Sequence, residues 1–382
     1  MGQFKRISVW GFRRLLDLDL ELRPLCVLIG ANGSGKTSLL DVFSLLAVSA
    51  SGGLKEKLSE MGGIALNLTT DLAREARFEL CTRIPNGNML FYMLSLRPVG
   101  TSYEIAEEKL AQAKDRASHA MIHIESSHGQ IFSYFEPNSA VVRPTWQYDP
   151  LETALAQVPK TFQVAEAFRS QLASCTYYHV LNVEPRSPVR LPQPLRPATL
   201  PGRQGEDLVS CLFNLRETNR NRFEAVEDTL RAGFHDFERL DFPPVAAGML
   251  AMTWKDRRFS RPMYMHQLSE GMLRFLWLVA LLESPGLTAV TLLDEPEVSL
   301  HPELLSVLAG VMREASARTQ LIVATHADRL VRFLEPKEVV AMDIKEDGTA
   351  TAAWADTFDL EAWLRDYTLD EVWRMGRIGG RP

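Results

Sequence analysis

A chain of 382 residues, 46% hydrophobic and 24% charged, is long enough for one elaborated α/β domain or for two domains. Its formal net charge of −6 excludes a surface that is basic throughout, and with it a protein that coats nucleic acid, while leaving room for a local basic patch. The four cysteines, Cys26, Cys81, Cys175 and Cys211, stand singly, without a C-x-x-C pair or a histidine at metal spacing, which excludes a disulfide framework and reads as reduced thiols.

From the N-terminus, Phe4 to Trp10 alternates as a strand rather than a leader peptide. A second strand follows through Gly11-Phe12-Arg13-Arg14, with Asp17, Asp19 and Glu21 on a wet face and Leu18, Leu20 and Leu22 on a packed one. Residues 25–29 form a continuous apolar run with the length of a buried strand. They lead into Gly30-Ala31-Asn32-Gly33-Ser34-Gly35-Lys36-Thr37-Ser38 and then a helix that is apolar nearly all round from Leu39 to Val48. Strand-like runs come next at 76–84, 89–96, 103–110 and 119–125, the first two joined at Asn86-Gly87, a hairpin signal. The spacing of Leu151, Ala154, Leu155, Val158, Phe162, Ala165 and Phe168 predicts helix over 151–175. Six prolines and four arginines between 184 and 204 predict an extended strap without regular structure, read as a surface connection or as a basic contact for phosphates or a partner. Helices are expected over 205–239 and a pair of strands over 248–265, around Lys255-Asp256-Arg257-Arg258. The apolar run from Phe275 to Leu282 is too short to span a bilayer, so the expected setting is cytoplasmic, with no membrane partner.

The glycine-rich stretch has the G-x-x-x-x-G-K-[ST] form in its required strand–loop–helix setting. Glycines let a backbone wrap closely around phosphates with its N–H groups pointing inward. The helix N-terminus adds partial positive charge, Lys36 reaches the β- and γ-phosphates, and Thr37 offers a hydroxyl to Mg²⁺. A chance match to the four fixed positions would occur in roughly one such chain in a hundred. Nucleotide binding through residues 30–38 is therefore expected.

Three further pieces fit the same chemistry. Residues 290–294 form a hydrophobic strand ending in Asp294-Glu295-Pro296, the arrangement in which an Asp holds Mg²⁺ and a neighbouring Glu polarises the attacking water. A second strand, 321–325, carries His326 at its C-terminal end, where ligands bind in open parallel sheets. Leu268-Ser269-Glu270-Gly271 opens an apolar helix. Ser269 is a natural N-cap there, and the free first turn with a close-approach glycine also suits a γ-phosphate.

Together these residues resemble the ABC-type ATPases: a phosphate loop at 30–37, a signature-like Leu-Ser-x-Gly at 268–271, an acidic strand end at 290–295 and a switch-like His326. Ile7 to Arg14 and the run Asp294-Glu295-Pro296-Glu297-Val298-Ser299-Leu300-His301-Pro302 look like the chromosome-maintenance, RecF-like and overcoming-lysogenization-defect branch rather than transporter subunits. The resemblance implies an α/β P-loop NTPase of ABC-ATPase head type, with a mixed central sheet, an antiparallel β flank and a helical subdomain. It implies one domain over 1–382: a phosphate-loop lobe at 1–150, a mainly helical insertion at 151–285 ending in the signature motif, and the rest of the core at 286–382. It also implies a homodimer, head to tail around two ATP, in which Ser269 and Gly271 of one chain touch the γ-phosphate held by Lys36 of the other. Residues 297–302 would then lie at the dimer seam. Catalytic roles fall on Lys36, Glu295 and His326, metal binding on Thr37 and Asp294, with ATP and Mg²⁺ as cofactors. DNA and a nuclease or other effector protein are partners that the resemblance allows, in DNA repair or phage defence; the rival expectation is an ATP-locked scaffold with negligible turnover. Glu270 and Met272 depart from the usual signature, no glutamine stands in an obvious metal-contacting position, and neither a long coiled coil nor a nuclease domain is expected.

Overall fold

The computed structural model describes residues 2–84, 87–114, 120–128, 131–134 and 147–379. Asn86 of the expected hairpin turn and His119 at the start of the fourth strand run lie outside the described residues. The chain divides into two compact units: the first comprises 1–176, 336–360 and 375–382, the second 177–335 and 361–374.

In the first unit, β1 (Phe4–Phe12), β2 (Leu15–Glu21), β4 (Ala76–Arg83), β5 (Met89–Val99), β6 (Ser102–Ala113), β7 (Met121–Ser127) and β8 (Ile131–Tyr134) form an antiparallel sheet in the order β2-β1-β4-β5-β6-β7-β8. Phe4, Ile7, Val9 and Phe12 of β1 and Phe78 and Leu80 of β4 are buried, while Lys5, Arg6 and Trp10 of β1 are exposed. β3 (Leu25–Ile29), buried along its whole length, runs parallel to the strand Val339–Ile344, with Val27 opposite Val339. That strand pairs antiparallel with Ala350–Trp354. The unit thus joins a mixed sheet to an antiparallel flank. From β3 the chain turns through the phosphate loop into α1 (Lys36–Ala50), whose Leu39, Leu40, Phe43 and Leu46 are fully buried.

The expected helix over 151–175 begins only at α3 (Gln163–Ala173); residues 151–162 are turns. Their polar groups are committed elsewhere. The Ala154 and Leu155 N–H groups donate to the Glu108 carboxylate at 2.6 and 2.9 Å. Glu152 in turn accepts from Leu54 and Lys55 N–H at 3.0 and 3.1 Å, capping the short helix α2 (Leu54–Glu60), which has no side-chain cap of its own. Pro159 removes a further donor. Glu108 lies fully buried, and burial lifts its carboxyl to about 7 against the three hydrogen bonds that favour the charge. A carboxyl raised in the folded state contributes most below its unfolded value of 4.5 and loses that contribution as pH rises to about 7. The stability difference between wild type and Glu108→Gln is expected to fall by on the order of 3 kcal/mol across that window. Urea denaturation at pH 5 and 7.5 measures it, and a difference that does not change with pH would refute the assignment.

In the second unit the strand Val290–Asp294 runs parallel to Gln320–Ala324, with Asp294 opposite Ala324. Around them pack α4 (Leu208–Thr218), α5 (Arg220–Gly233), α6 (Glu270–Glu283) and α7 (Pro302–Ala315). α6 is buried from Phe275 to Glu283, as its all-round apolar sequence requires, and the one acid there, Glu283, is bonded to Arg222 at 2.9 Å. The expected strand pair appears as Thr253–Asp256 and Met263–Tyr264. The proline-rich stretch is largely exposed and nearly without regular structure, as expected, but it is pinned to the chain at several points. It contains a 3₁₀ turn at Pro188–Arg190 and a short bridge at Gln193–Pro194, and Ser187, Val189 and Gln193 are buried. Arg190 explains this: its guanidinium donates to the carbonyls of Val183 (2.5 Å), His266 (3.3 Å) and Leu268 (2.9 Å), so the arginine serves the chain's own backbone rather than an outside phosphate. Gln193 does the same for Pro188 and Gly205. Among the described residues no helix is long and apolar enough to cross a membrane, and none of the four buried cysteines forms a disulfide.

Candidate nucleotide site

The phosphate loop belongs to the first unit. Gly30, Gly33 and Gly35 have φ of 143°, 78° and 100°, conformations that L side chains rarely adopt. A Cβ on Gly30 would stand 2.1 Å from the Met342 carbonyl oxygen, and one on Gly35 would stand 3.0 Å from the Leu15 side chain. The loop is therefore shaped by the strands behind it. Lys36 is buried, its Nζ donating to the carbonyls of Gly30 (2.6 Å) and Ala31 (3.0 Å), so the ammonium is held at the mouth of the loop. Thr37 is exposed at the first turn of α1, and Ala31, Asn32 and Ser38 border the loop at or near the surface. Ser34 is fully buried, yet its hydroxyl has no hydrogen-bond partner among the described residues. A buried orphan of this kind costs about 1–3 kcal/mol, which a bound oxygen acceptor would relieve.

Beside the loop lies a cavity of about 440 Å³, lined by Arg13, Arg14, Leu66, Leu68, Leu72 and Asp347 among others. Arg13 bonds Asp41 of α1 at 2.5 Å and Asn67 at 2.9 Å. Arg14 donates to the Gly348 carbonyl at 2.9 Å and passes close to Gly33. Three leucines share its lining with Thr69, Thr70 and Thr349 and the charged side chains, so the cavity is mainly polar.

The other motifs belong to the second unit. Asp294 Oδ2 accepts the Tyr177 hydroxyl at 3.0 Å, and His179 Nδ1 stands 3.9 Å from the same oxygen. Oδ1 of Asp294 has no partner among the described residues. One oxygen anchored and the other open is a sound arrangement for a hard cation. Glu295 has φ of 49°, unusual for a residue with a Cβ, and its N–H donates to the Ala324 carbonyl at 2.9 Å. Its Oε1 stands 3.6 Å from His326 Nε2, so the structure brings together the two residues expected to handle the attacking water. Glu297 lies beneath them; burial pushes its carboxyl up against the pull of its hydrogen bonds from Thr325 and His326.

Ser269 is exposed and caps α6, accepting the Met272 N–H at 3.3 Å. Gly271 has a requirement inside the chain: a Cβ there would stand 2.8 Å from the Ser299 carbonyl oxygen. Arg274 reinforces the contact by donating to Ser299 Oγ at 2.7 Å. The start of α6 is thus bound to the turn that follows Glu295. Gly271→Ala is expected to cost about 1–3 kcal/mol by crowding that contact, read as a lower urea midpoint; an unmoved midpoint would show that the turn yields freely.

Tyr177 and Arg274 escaped the sequence reading, and Glu297 and Arg190 were read only as part of the dimer seam and of the basic stretch, not for the contacts they make. Only Glu297 carried a legible signal, as a third acid next to Asp294-Glu295 in a turn; the other three act through partners distant in sequence.

Residues 25–332 match the family model described as "AAA domain, putative AbiEii toxin, Type IV TA system". The chain belongs to that family. This AbiEii-type AAA chain also shares 48% identity over 42 residues with the OLD nuclease of Thermus scotoductus, a stretch covering 11% of the chain and 8% of that protein's length. The chain therefore spans only a small part of that relative. The crystal structure of an SMC head bound to the C-winged helix domain of ScpA aligns with 92% of the chain and 97% of its own, at 15% identity and a TM-score of 0.55. An SMC head domain with an extended coiled coil, bound to the C-terminal domain of ScpA derived from Pyrococcus furiosus, aligns over 92% and 96% at 11% identity and a TM-score of 0.52. At such identities the likeness is one of fold, and the fold is that of an ABC-ATPase head. The expected ABC-like branch, RecF-like and related to the overcoming-lysogenization-defect proteins, stands with it.

Proposed function

We propose that this chain is an ATP-binding and ATP-hydrolysing switch that dimerises head to tail around two ATP. The observation that carries the reading is the phosphate loop, whose glycines, held Lys36 ammonium and orphaned Ser34 hydroxyl together form a cradle for phosphate oxygens. Loop amides from Gly30 to Ser38 and Lys36 bind the phosphates. Thr37, with its exposed hydroxyl, and Asp294, with one open oxygen, would hold Mg²⁺. When bound, that ion neutralises charge on the β- and γ-phosphate oxygens. Glu295 accepts the proton of the attacking water, and His326 at its side orients that water and senses the γ-phosphate. Ser269, exposed at the open first turn of α6, reaches the γ-phosphate of the partner subunit's nucleotide, with Gly271 letting that turn seat against Ser299.

The family description and the partial OLD nuclease match support a role beside a nuclease or toxin effector in phage defence, in the cytoplasm; DNA repair and direct DNA contact are the companion readings. Light scattering with and without ATP and Mg²⁺, alongside phosphate release, tests the switch. A doubled mass with turnover supports it. A fixed mass without turnover would instead favour a static scaffold.

A further inference from the structure

Residues 325–327, between the strand Gln320–Ala324 and the short helix Asp328–Val331, have no regular structure, so their N–H groups need partners from elsewhere. Those partners converge on one atom. Glu297 Oε1 accepts the Thr325 hydroxyl at 2.6 Å, the His326 N–H at 3.2 Å and the Ala327 N–H at 3.3 Å. The Thr325 hydroxyl also accepts from Ala327 N–H at 3.0 Å, closing the knot. Oε2 of the same carboxylate is buried and has no hydrogen-bond partner among the described residues. Packing does not explain such a residue, because a buried carboxylate oxygen left unpaired is costly and a leucine would fill the space without that cost. Three donors gathered on one charged acceptor do explain it.

At its other end Glu297 belongs to the turn opened by Glu295: the Val298 N–H donates to the Glu295 carbonyl at 3.2 Å, and the Leu300 N–H to that of Glu297 at 3.0 Å. Glu297 therefore ties the turn that carries Glu295 to the turn that carries His326. We propose that Glu297 is the positioning residue of this pair: by holding the backbone of residues 325–327 it aims His326 at Glu295. The assignment rests on the ATPase reading for its catalytic consequence, but not for its structural one.

Two measurements test it. The first is amide hydrogen exchange of the full chain without nucleotide, comparing wild type with Glu297→Ala and Glu297→Gln. Exchange in the 325–328 segment is expected to rise at least 10-fold in Glu297→Ala and less in Glu297→Gln, which keeps one acceptor, while the strand Val290–Asp294 keeps its protection. Unchanged exchange at 325–328, or a rise spread over the whole second unit, overturns the proposal. The second is phosphate release. Glu297→Gln is expected to lower kcat about 10-fold with KM within twofold, and to have no further effect when His326 is already alanine. A full Glu297→Gln loss in the His326→Ala background also overturns it. If wild type releases no phosphate, the ATPase reading fails by itself and the exchange experiment alone decides the positioning role.

Discussion

Glu295→Gln is expected to lower the rate of phosphate release by about 10²- to 10⁴-fold while leaving ATP binding intact, which corresponds to roughly 3–5 kcal/mol of barrier. The magnitude follows from what the substitution removes. Glutamine keeps the shape of the side chain and can still hydrogen-bond a water, but it has no basic oxygen to take the proton. The geometry makes the loss hard to replace. Glu295 is held at φ 49° by its N–H bond to the Ala324 carbonyl, so its carboxylate direction is set by the backbone. A strained residue of this kind persists where the surroundings over-determine it, as they do here from the strand on one side and the turn at 296–299 on the other. His326 Nε2, 3.6 Å from the Glu295 carboxylate, is placed to bond the same water, so the His326→Ala/Glu295→Gln double variant shows whether it takes over the proton. Phosphate release under saturating ATP measures the loss, and light scattering on the same samples is expected to show the variant accumulating at twice the monomer mass. A rate within threefold of wild type would remove Glu295 from the role of base. Loss of ATP binding in the variant would assign it to the ground state instead.

The second large effect is expected at Gly30. Alanine there would need a φ of 143° and would bring its Cβ to 2.1 Å from the Met342 carbonyl oxygen, a backbone atom of the strand that pairs with β3. Neither side can rotate away, since both belong to paired strands or their immediate ends. The conformational cost is about 1–2 kcal/mol and the overlap adds about 1–3 kcal/mol or more. Together they amount to on the order of 10 °C in melting temperature. The loop then moves, and with it the Gly30 carbonyl that holds Lys36 Nζ at 2.6 Å. Nucleotide binding is therefore expected to weaken at least about 100-fold, as loss of a preorganised phosphate contact requires. Calorimetry without nucleotide and titration with a fluorescent ATP analogue separate the two consequences. A melting temperature within 2 °C of wild type would mean that the strand end tolerates the methyl group, and the close approach at Met342 would lose its explanatory force.

The site and the fold were legible in the sequence to different depths. Residues 25–50 read correctly as strand, loop and helix because all the determinants are local: a continuous apolar run, glycines where φ must be positive, and a helix apolar all round. The antiparallel runs read correctly for the same reason, since a period of two is printed in neighbouring residues. Residues 151–162 misled because their apolar spacing is helical, while the donors that would have closed the helix are taken by Glu108, more than 40 residues earlier. The proline-rich stretch read correctly as exposed and irregular, but its anchoring was not legible. Its prolines do break regular structure, yet Arg190 and Gln193 bind it to carbonyls at 183, 188, 205, 266 and 268.

The sequence by itself determined the strand, glycine loop and helix that offer a phosphate-binding chemistry, because the glycines, Lys36 and Thr37 lie at a strand end and a helix start set by local pattern. Tertiary structure alone decided which carboxylate faces His326 and which accepts three backbone and hydroxyl donors. Glu295 and Glu297 are two residues apart and chemically equivalent as letters. A positive φ at the first and burial of the second turn one toward His326 and the other beneath it. Burial and hydrogen-bond partners are properties of the folded chain, set by segments far apart in sequence, and no local pattern encodes them.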